Sequence, residues 1–280
     1  MPARHLETQA GERRAVSRTE EARVRYETYL FGPFKVVRDG IPLTHSASRR
    51  ASARTLLKWF LLNPGVRIGS AALCRLLWPD HRLTDKPNKL HVTLHHLRHA
   101  LEPELAARQP STFIRSTKDG MYWFNFSQCW WIDVVDVERL FTEGTIAESN
   151  GNVHAAISAY ENLLDYYEKI FLPEDLFDEV FDSFRTVHEV RQRTVQHRLL
   201  RLYMQGGMTH KVLPFALSIL ECDPYSEEAS AAIVEVNLRQ GNVLAAQLQF
   251  ADHLRLVQRD LGANSGWVAS ELWELLRKTG

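Results

Sequence analysis

The chain has 280 residues, 45% of them hydrophobic, which is enough for two globular domains that each bury a core. It contains no secretory leader and no apolar run of eighteen residues, and its three cysteines lack metal-type spacing, so we expect a cytoplasmic protein without membrane contact. The formal net charge is zero, yet residues 1–126 carry 21 basic and 11 acidic side chains, whereas residues 127–280 carry 13 and 23. We therefore expect a cationic module that suits a polyanion, joined to an anionic module.

The first part of the chain predicts an arm, a small sheet and a helix. Residues 1–25 are polar, mixed in charge and aperiodic, which predicts a disordered arm. The aromatic and β-branched stretch Tyr29–Val37 predicts a strand, and Asp39-Gly40 predicts the hairpin turn after it. Inward-facing apolar residues predict a first helix from about Arg49 to Leu62, which Asn63-Pro64-Gly65 ends.

A second helix, for which Ser70 is a suitable N-cap, precedes a third helix from about Leu90 to Leu101. Leucines of the third helix recur at i, i+4, i+7 and i+11 and form one apolar stripe that must face a core: Leu90, Leu94, Leu97 and Leu101. The opposite face has no acid, and its members are Asn88, Val92, His95 and His99, with Lys89 and His96 on one flank and His91 and Arg98 on the other. Donors and cations, with a small apolar group for thymine methyls, are what a helix needs to approach phosphates and base edges. The pattern predicts a DNA-recognition helix.

A basic hairpin follows the third helix. Phe113–Ser116 and Met121–Phe124 alternate as two strands around the turn Thr117–Gly120. The hairpin carries the polar and basic side chains of Arg115, Ser116 and Lys118, which suit contact with a phosphate backbone. A helix followed by such a hairpin predicts a winged helix-turn-helix that binds DNA.

Other interpretations of these residues remain open. The spacing of His91, His95 and His99 is also compatible with a zinc or nickel site, although no carboxylate or cysteine lies beside them on the helix. The same face is compatible with a solvated polar surface, and Arg115 and Lys118 with ordinary solubilising roles. Neither a phosphate-binding glycine loop nor a hydrolase motif is present, so we expect no enzyme and no cofactor or metal.

From about residue 133 the sequence predicts long helices with an internal repeat. Gly207–Ala216 and Gly241–Phe250 begin 34 positions apart, which is the period of tetratricopeptide helix pairs. Gly151–Tyr160 repeats the second of these almost letter for letter, but at an offset of 90, which is no multiple of 34. An insertion or longer helices must therefore follow the first unit. We expect a helical solenoid of about three units.

These motifs resemble two known families. Residues 29–124 resemble the DNA-binding domain of OmpR-type response regulators in the third helix and the wing. Residues 133–280 resemble the bacterial transcriptional activator domain at four landmarks: Asp133–Asp136, Phe171–Asp175, Asp223–Ala229 and Arg259–Gly262. Together they imply a SARP-type activator, mainly α with small β-sheets. Its winged helix-turn-helix domain is expected at residues 26–126, and its α-helical tetratricopeptide-like domain at residues 127–280.

The resemblance implies a regulator that binds direct repeats in double-stranded DNA near a promoter and recruits RNA polymerase, with a homodimer on DNA as an option. Family positions that face DNA from the helix correspond to Asn88, Lys89, His95, His96 and Arg98. The wing contacts correspond to Ser116 and Lys118. The loop where the family touches polymerase corresponds to residues from Trp78 to Lys86, including Asp80 and Arg82.

Two departures from the family pattern affect this interpretation. His95 and His96 stand where relatives usually have arginine, and Met121 stands where the wing usually has a second glycine. A neutral imidazole gives no counterion-release gain and titrates near pH ~6.5, so we expect specific affinity to rise as the pH falls from about 8 to 6. The missing arginines also leave a second hypothesis: a tetratricopeptide-type adaptor that binds proteins and has a degenerate winged helix.

Overall fold

The structure is a computed structural model that describes residues 25–43, 51–79 and 86–262. The predicted disordered arm lies outside these residues except for Arg25, and so do Arg49 and Arg50 at the predicted start of the first helix. None of the helices in the described part of the chain has the length and apolarity needed to cross a membrane.

Within the described residues, two small sheets and three helices form the N-terminal part. The strands are β1 (Tyr26–Tyr29), β2 (Lys35–Arg38), β3 (Ile41–Pro42), β4 (Ile68–Gly69), β5 (Ile114–Ser116), β6 (Met121–Phe124) and β7 (Trp130–Ile132). The helices are α1 (Ala51–Leu62), α2 (Ser70–Leu77) and α3 (Lys86–Leu101). One sheet has the order β3-β2-β1-β7, antiparallel except for the parallel β1–β7 pair, and the other is antiparallel with the order β4-β6-β5. The predicted helix order and hairpin are confirmed.

The leucine stripe of α3 anchors this helix as its periodicity predicted. Leu90, Leu94, Leu97 and Leu101 are each at most 1% exposed and join a core with side chains of α1 and α2. Burying four leucine side chains contributes roughly 6–12 kcal/mol, at about 1.5–3 kcal/mol each, before the cost of ordering the chain. The opposite face of α3 is thereby directed away from the core.

Two local predictions were wrong. The stretch Tyr29–Val37 is not one strand, because the backbone N–H groups of Leu30 and Phe31 leave the ladder and donate to the Asp133 carboxylate at 2.6 and 2.8 Å. Ser70 does not cap α2 with its side chain: the N-cap residue is Gly69, and the N–H of Ser70 donates instead to the Gly120 carbonyl at 3.0 Å. In both cases a partner distant in sequence takes the backbone group.

The C-terminal part consists of antiparallel helix pairs that stack in order. Within the described residues these are α4 (Asp133–Ser149) with α5 (Val153–Tyr167), α6 (Asp182–Gln205) with α7 (Thr209–Cys222), and α8 (Glu227–Arg239) with α9 (Val243–Leu261). Each pair turns at a glycine with positive φ: Gly151 at 71°, Gly207 at 63° and Gly241 at 77°. Glycine adopts this left-handed conformation at little cost, which is why it ends helices so often. The predicted three-unit helical repeat and the fold class are confirmed.

A strap between α5 and α6, residues 168–181, explains the irregular offset of the first unit. The strap contains two 3-10 turns, Pro173–Asp175 and Glu179–Phe181, and the helix that follows it is 24 residues long. Both of the alternatives that the offset allowed, an insertion and a longer helix, are therefore present. The guanidinium of Arg185 donates to the carbonyl oxygens of Asp175 and Asp178 at 2.8 and 3.0 Å and holds the strap to α6.

The strap joins the helical repeats to the winged helix. Its backbone pairs with residues 30–32, where the Leu172 N–H donates to the Leu30 carbonyl at 2.9 Å and the Gly32 N–H donates to the Ile170 carbonyl at 2.8 Å. Strand β7 follows the predicted boundary at residues 126/127, yet it extends the first sheet beside β1. One continuous hydrophobic cluster runs from Tyr26 to Val236. The two parts therefore share a core.

Candidate nucleic-acid interface

The predicted DNA-facing side of α3 is open to solvent. Asn88, Lys89, His91, His95 and His96 are exposed there, and the isopropyl group of Val92 is 46% exposed among them. No acidic residue occurs anywhere in the helix. The surface thus presents donors, a cation and one apolar group, a combination that suits phosphate oxygens, base edges and thymine methyl groups.

Two of the histidines contact each other. The ring of His95 lies edge-on to the ring of His99, with 4.4 Å between centroids, and His96 is 5.8 Å from His95. His99 is half-buried, so it contributes less surface to an approaching duplex than its position on the helical wheel predicted. Over the described residues, no group of three histidine, cysteine or carboxylate side chains is arranged to hold a metal ion.

The wing is a short hairpin whose tip mixes charges. Arg115, Ser116 and Lys118 are exposed, as the sequence predicted. Gly120 has a φ of +79° at the end of the turn, where the Thr117 N–H donates to the Met121 carbonyl at 2.9 Å and the Gly120 N–H donates to the Thr117 carbonyl at 3.2 Å. The tip also carries Asp119, and a hydrogen bond with Thr117 lowers the pKa of this carboxyl below its ordinary value.

The side chain of Arg98 points toward the wing, unlike the exposed candidate residues of α3. Its guanidinium is half-buried and donates from Nε to the Ile114 carbonyl at 3.2 Å and from Nη2 to the Ser116 hydroxyl oxygen at 3.3 Å. Burial lowers the pKa of this guanidinium, although its charge persists at any physiological pH. In this structure Arg98, a predicted DNA contact, links α3 to the first wing strand.

A groove separates α3 from the wing. It has a volume of about 560 Å³ and is lined by His91 and Arg98 of α3, by Ser116 and Lys118 of the wing, and by the start of α2 at Ser70. No acidic residue is among the described residues that line the groove. Each wall contributes a polar side chain, His91 from α3 and Lys118 from the wing. The groove brings the two predicted DNA-binding elements to one surface.

A buried carboxylate that sequence reasoning missed holds the base of the wing. Glu102, directly after α3, is 7% exposed and accepts hydrogen bonds from the Ser111 hydroxyl and, at 2.8 Å, from the Thr112 N–H. Ser111 in turn accepts from the Ile114 N–H at 3.0 Å, where β5 begins. The sequence predicts that the third helix ends at about Leu101, and nothing in the local pattern around Glu102 indicates the contact.

The predicted polymerase-contact loop is described only at its start. Trp78, the C-cap of α2, is half-buried, whereas Asp80 and Arg82 lie outside the described residues. A groove of about 980 Å³ runs from the end of α2 to the strap, and Phe177 of the strap is 99% exposed at its edge. This surface is separate from the groove beside the wing.

A winged helix-turn-helix joined to stacked helix pairs is the architecture of a class of bacterial transcriptional regulators, and the comparisons agree. The chain belongs to the family of the bacterial transcriptional activator domain. The model of this family matches residues 132–277, which is more than half of the sequence. This confirms the relationship to SARP-type regulators that the sequence motifs indicated. No curated protein sequence matches the chain.

A solved structure supports the fold across both parts. Mycobacterium tuberculosis EmbR, determined in complex with a low affinity phosphopeptide, superposes with a TM-score of 0.77 at 19% sequence identity. The match covers 91% of this chain and 66% of that one, so the chain spans just under two thirds of the EmbR length. The likeness therefore includes the N-terminal winged helix as well as the helical repeats, and it concerns the fold.

Proposed function

We propose that this protein is a sequence-specific DNA-binding transcriptional activator of the cytoplasm. The observation that carries the proposal is the exposed, acid-free face of α3 beside a basic wing, on a helix that four buried leucines hold in place. Membership of the activator-domain family supports the same conclusion. The fold and family are those of a regulator rather than of an enzyme.

In the proposed complex α3 enters the major groove. Asn88, His95 and His96 meet base edges there, Val92 meets a thymine methyl group, and Lys89 meets a phosphate. The wing places Arg115, Ser116 and Lys118 at the adjacent minor groove and its backbone. Two copies occupy direct repeats near a promoter as a homodimer on the DNA, and the loop from Trp78 to Lys86 contacts RNA polymerase.

Competition footprinting on the DNA upstream of the protein's own coding region, at moderate salt, tests the proposal. Protection of two regularly spaced half-sites is expected. Uniform protection that salt abolishes would instead favour the protein-binding adaptor, because such binding reflects counterion release alone.

Lys118→Ala provides the quantitative test. The variant is expected to weaken specific binding and to reduce the slope of log K against log salt by about one phosphate contact. Arg255→Ala is the matched control, because it removes an exposed cation from α9, in the C-terminal helical repeats and outside the α3–wing groove. Equal affinities for the two variants would contradict the proposed role of the wing.

A further inference from the structure

Side-chain hydrogen bonds from α3 hold the wing beside this helix. The guanidinium of Arg98 donates two hydrogen bonds to β5, at 3.2 Å to the Ile114 carbonyl and at 3.3 Å to the Ser116 hydroxyl. A guanidinium presents its donors in a planar fork, so it can serve two acceptors on one strand at once. A direct phosphate contact would require Arg98 to give up at least part of this arrangement.

A second set of hydrogen bonds holds the other strand of the hairpin, β6. The Ser70 N–H at the start of α2 donates to the Gly120 carbonyl at 3.0 Å, and β4 pairs with β6 through Ile68 and Gly69. Strand β6 is therefore anchored to the body by its backbone. Strand β5 is the outer strand of this sheet, and the Arg98 contacts bind its exposed end to α3.

We propose that Arg98 is a positioning residue, which sets the separation of the wing from α3 and affects DNA binding through the wing. The proposal rests on the proposed function, and it gives Arg98 a different role from the direct DNA contact that the family resemblance implied. A duplex has to engage α3 and the wing together, and a wing free to move against α3 would lose part of its entropy on each binding event.

Arg98→Lys is the informative variant, because it keeps the positive charge and removes the planar fork. Affinity for the footprinted DNA, measured by fluorescence anisotropy, is expected to fall about 5- to 10-fold, and the salt slope should fall by about one contact because the displaced wing loses the Lys118 contact. Lys118→Ala should cost several-fold in the wild type and less than about 2-fold in the Arg98→Lys background, since a displaced wing no longer places Lys118 on the DNA. Protection of the DNA backbone by the wing against hydroxyl radicals should fade, whereas protection of guanine N7 in the major groove against dimethyl sulfate should persist.

A direct phosphate contact makes the opposite predictions. Arg98→Lys would then bind nearly as well as the wild type with an unchanged salt slope, the cost of Lys118→Ala would be undiminished, and Arg98→Gln would lower the salt slope by about one further contact in the Lys118→Ala background. These results would overturn the proposal. If Arg98 variants fold poorly, Ser116→Ala supplies the comparison through amide exchange of the free protein, where the proposed DNA contact of Ser116 plays no part. The expected effect is smaller because the Ile114 contact of Arg98 remains.

Amide hydrogen exchange of the free protein separates this proposal from the function on which it rests. Exchange of the Thr117 and Met121 N–H groups is expected to accelerate in Arg98→Lys relative to the wild type, without change in the helical repeats. Unchanged exchange would count against the positioning role whether or not DNA is bound. A wild-type protein that shows no specific binding would remove the proposed function alone.

Discussion

Removing the carboxylate of Asp175 should destabilise the whole fold, because this group neutralises a buried cation. Lys58 of α1 is 0% exposed, and its ammonium pairs with Asp175 of the strap, whose side chain is 12% exposed. Glu174 is the other carboxylate near it, at 3.8 Å, and the ring of Phe34 lies 4.8 Å from Nζ. Water has little access to this ammonium if the main partner is lost.

The magnitude follows from the cost of an unpaired buried charge. Truncating one partner of a buried pair typically costs about 3–5 kcal/mol, and the remaining carboxylate of Glu174 places Asp175→Ala near about 3 kcal/mol. At about 2–3 °C per kcal/mol for a chain of this size, the melting temperature should fall by about 6–9 °C. The double variant Lys58→Met with Asp175→Ala should lie within about 1 kcal/mol of the wild type, because an apolar side chain of similar length leaves no charge to solvate.

Scanning calorimetry of the full chain measures these differences, and α9 offers a matched control. Asp252→Ala removes the same group from an ion pair with Arg255 whose partners are 64% and 75% exposed, and it should cost less than about 1 kcal/mol. The reasoning is refuted if Asp175→Ala is as mild as Asp252→Ala. It is also refuted if the double variant is no more stable than Asp175→Ala.

Three further predictions concern pH and packing. Burial raises the pKa of Asp133 to about 6 in the folded protein, so the contribution of this group to stability should be fully present below its unfolded pKa of about 4 and decline by up to about 3 kcal/mol as the pH rises through 6. Urea titrations should find this decline in the wild type relative to Asp133→Asn. Gly144→Ala should cost about 2 kcal/mol in thermal melts, because the new Cβ would lie 2.7 Å from a ring carbon of Tyr160 and the gain in helix propensity is only about 1 kcal/mol. Specific DNA affinity should rise between pH 8 and 6 in anisotropy titrations, and the rise should disappear when His95 and His96 are both replaced by glutamine.

A different result would contradict each of these three predictions. Parallel stability profiles for the wild type and Asp133→Asn would show that the three backbone N–H donors to this carboxylate outweigh its burial. A Gly144→Ala variant as stable as the wild type would mean that Tyr160 can move, although its hydroxyl donates to Glu148 at 2.9 Å and accepts from Arg198 at 3.0 Å. A flat affinity profile would remove the histidine hypothesis and leave the wing as the main cationic contact.

Local pattern was sufficient for the elements that repeat with a regular period. The leucine spacing of α3 determined which side of the helix is buried, because 3.6 residues per turn place those positions in one row whatever they pack against. Turn glycines such as Gly207 and Gly241 marked the helix pairs for the same kind of reason, since glycine readily adopts the left-handed conformation at which many helices end. The exposed face at Asn88, His95 and His96 followed directly from the leucine row.

Only the tertiary structure decided the contacts between groups far apart in the chain. Lys58 and Asp175 are separated by 117 positions, and neither local pattern distinguishes a buried ion pair from two solvated charges. Arg98 looked like a DNA contact because it lies on the flank of an acid-free helix, yet its direction depends on the position of β5, which the rest of the fold sets. Periodicity reports which face of an element is buried, whereas the partner of a polar group depends on what folding brings within hydrogen-bond distance.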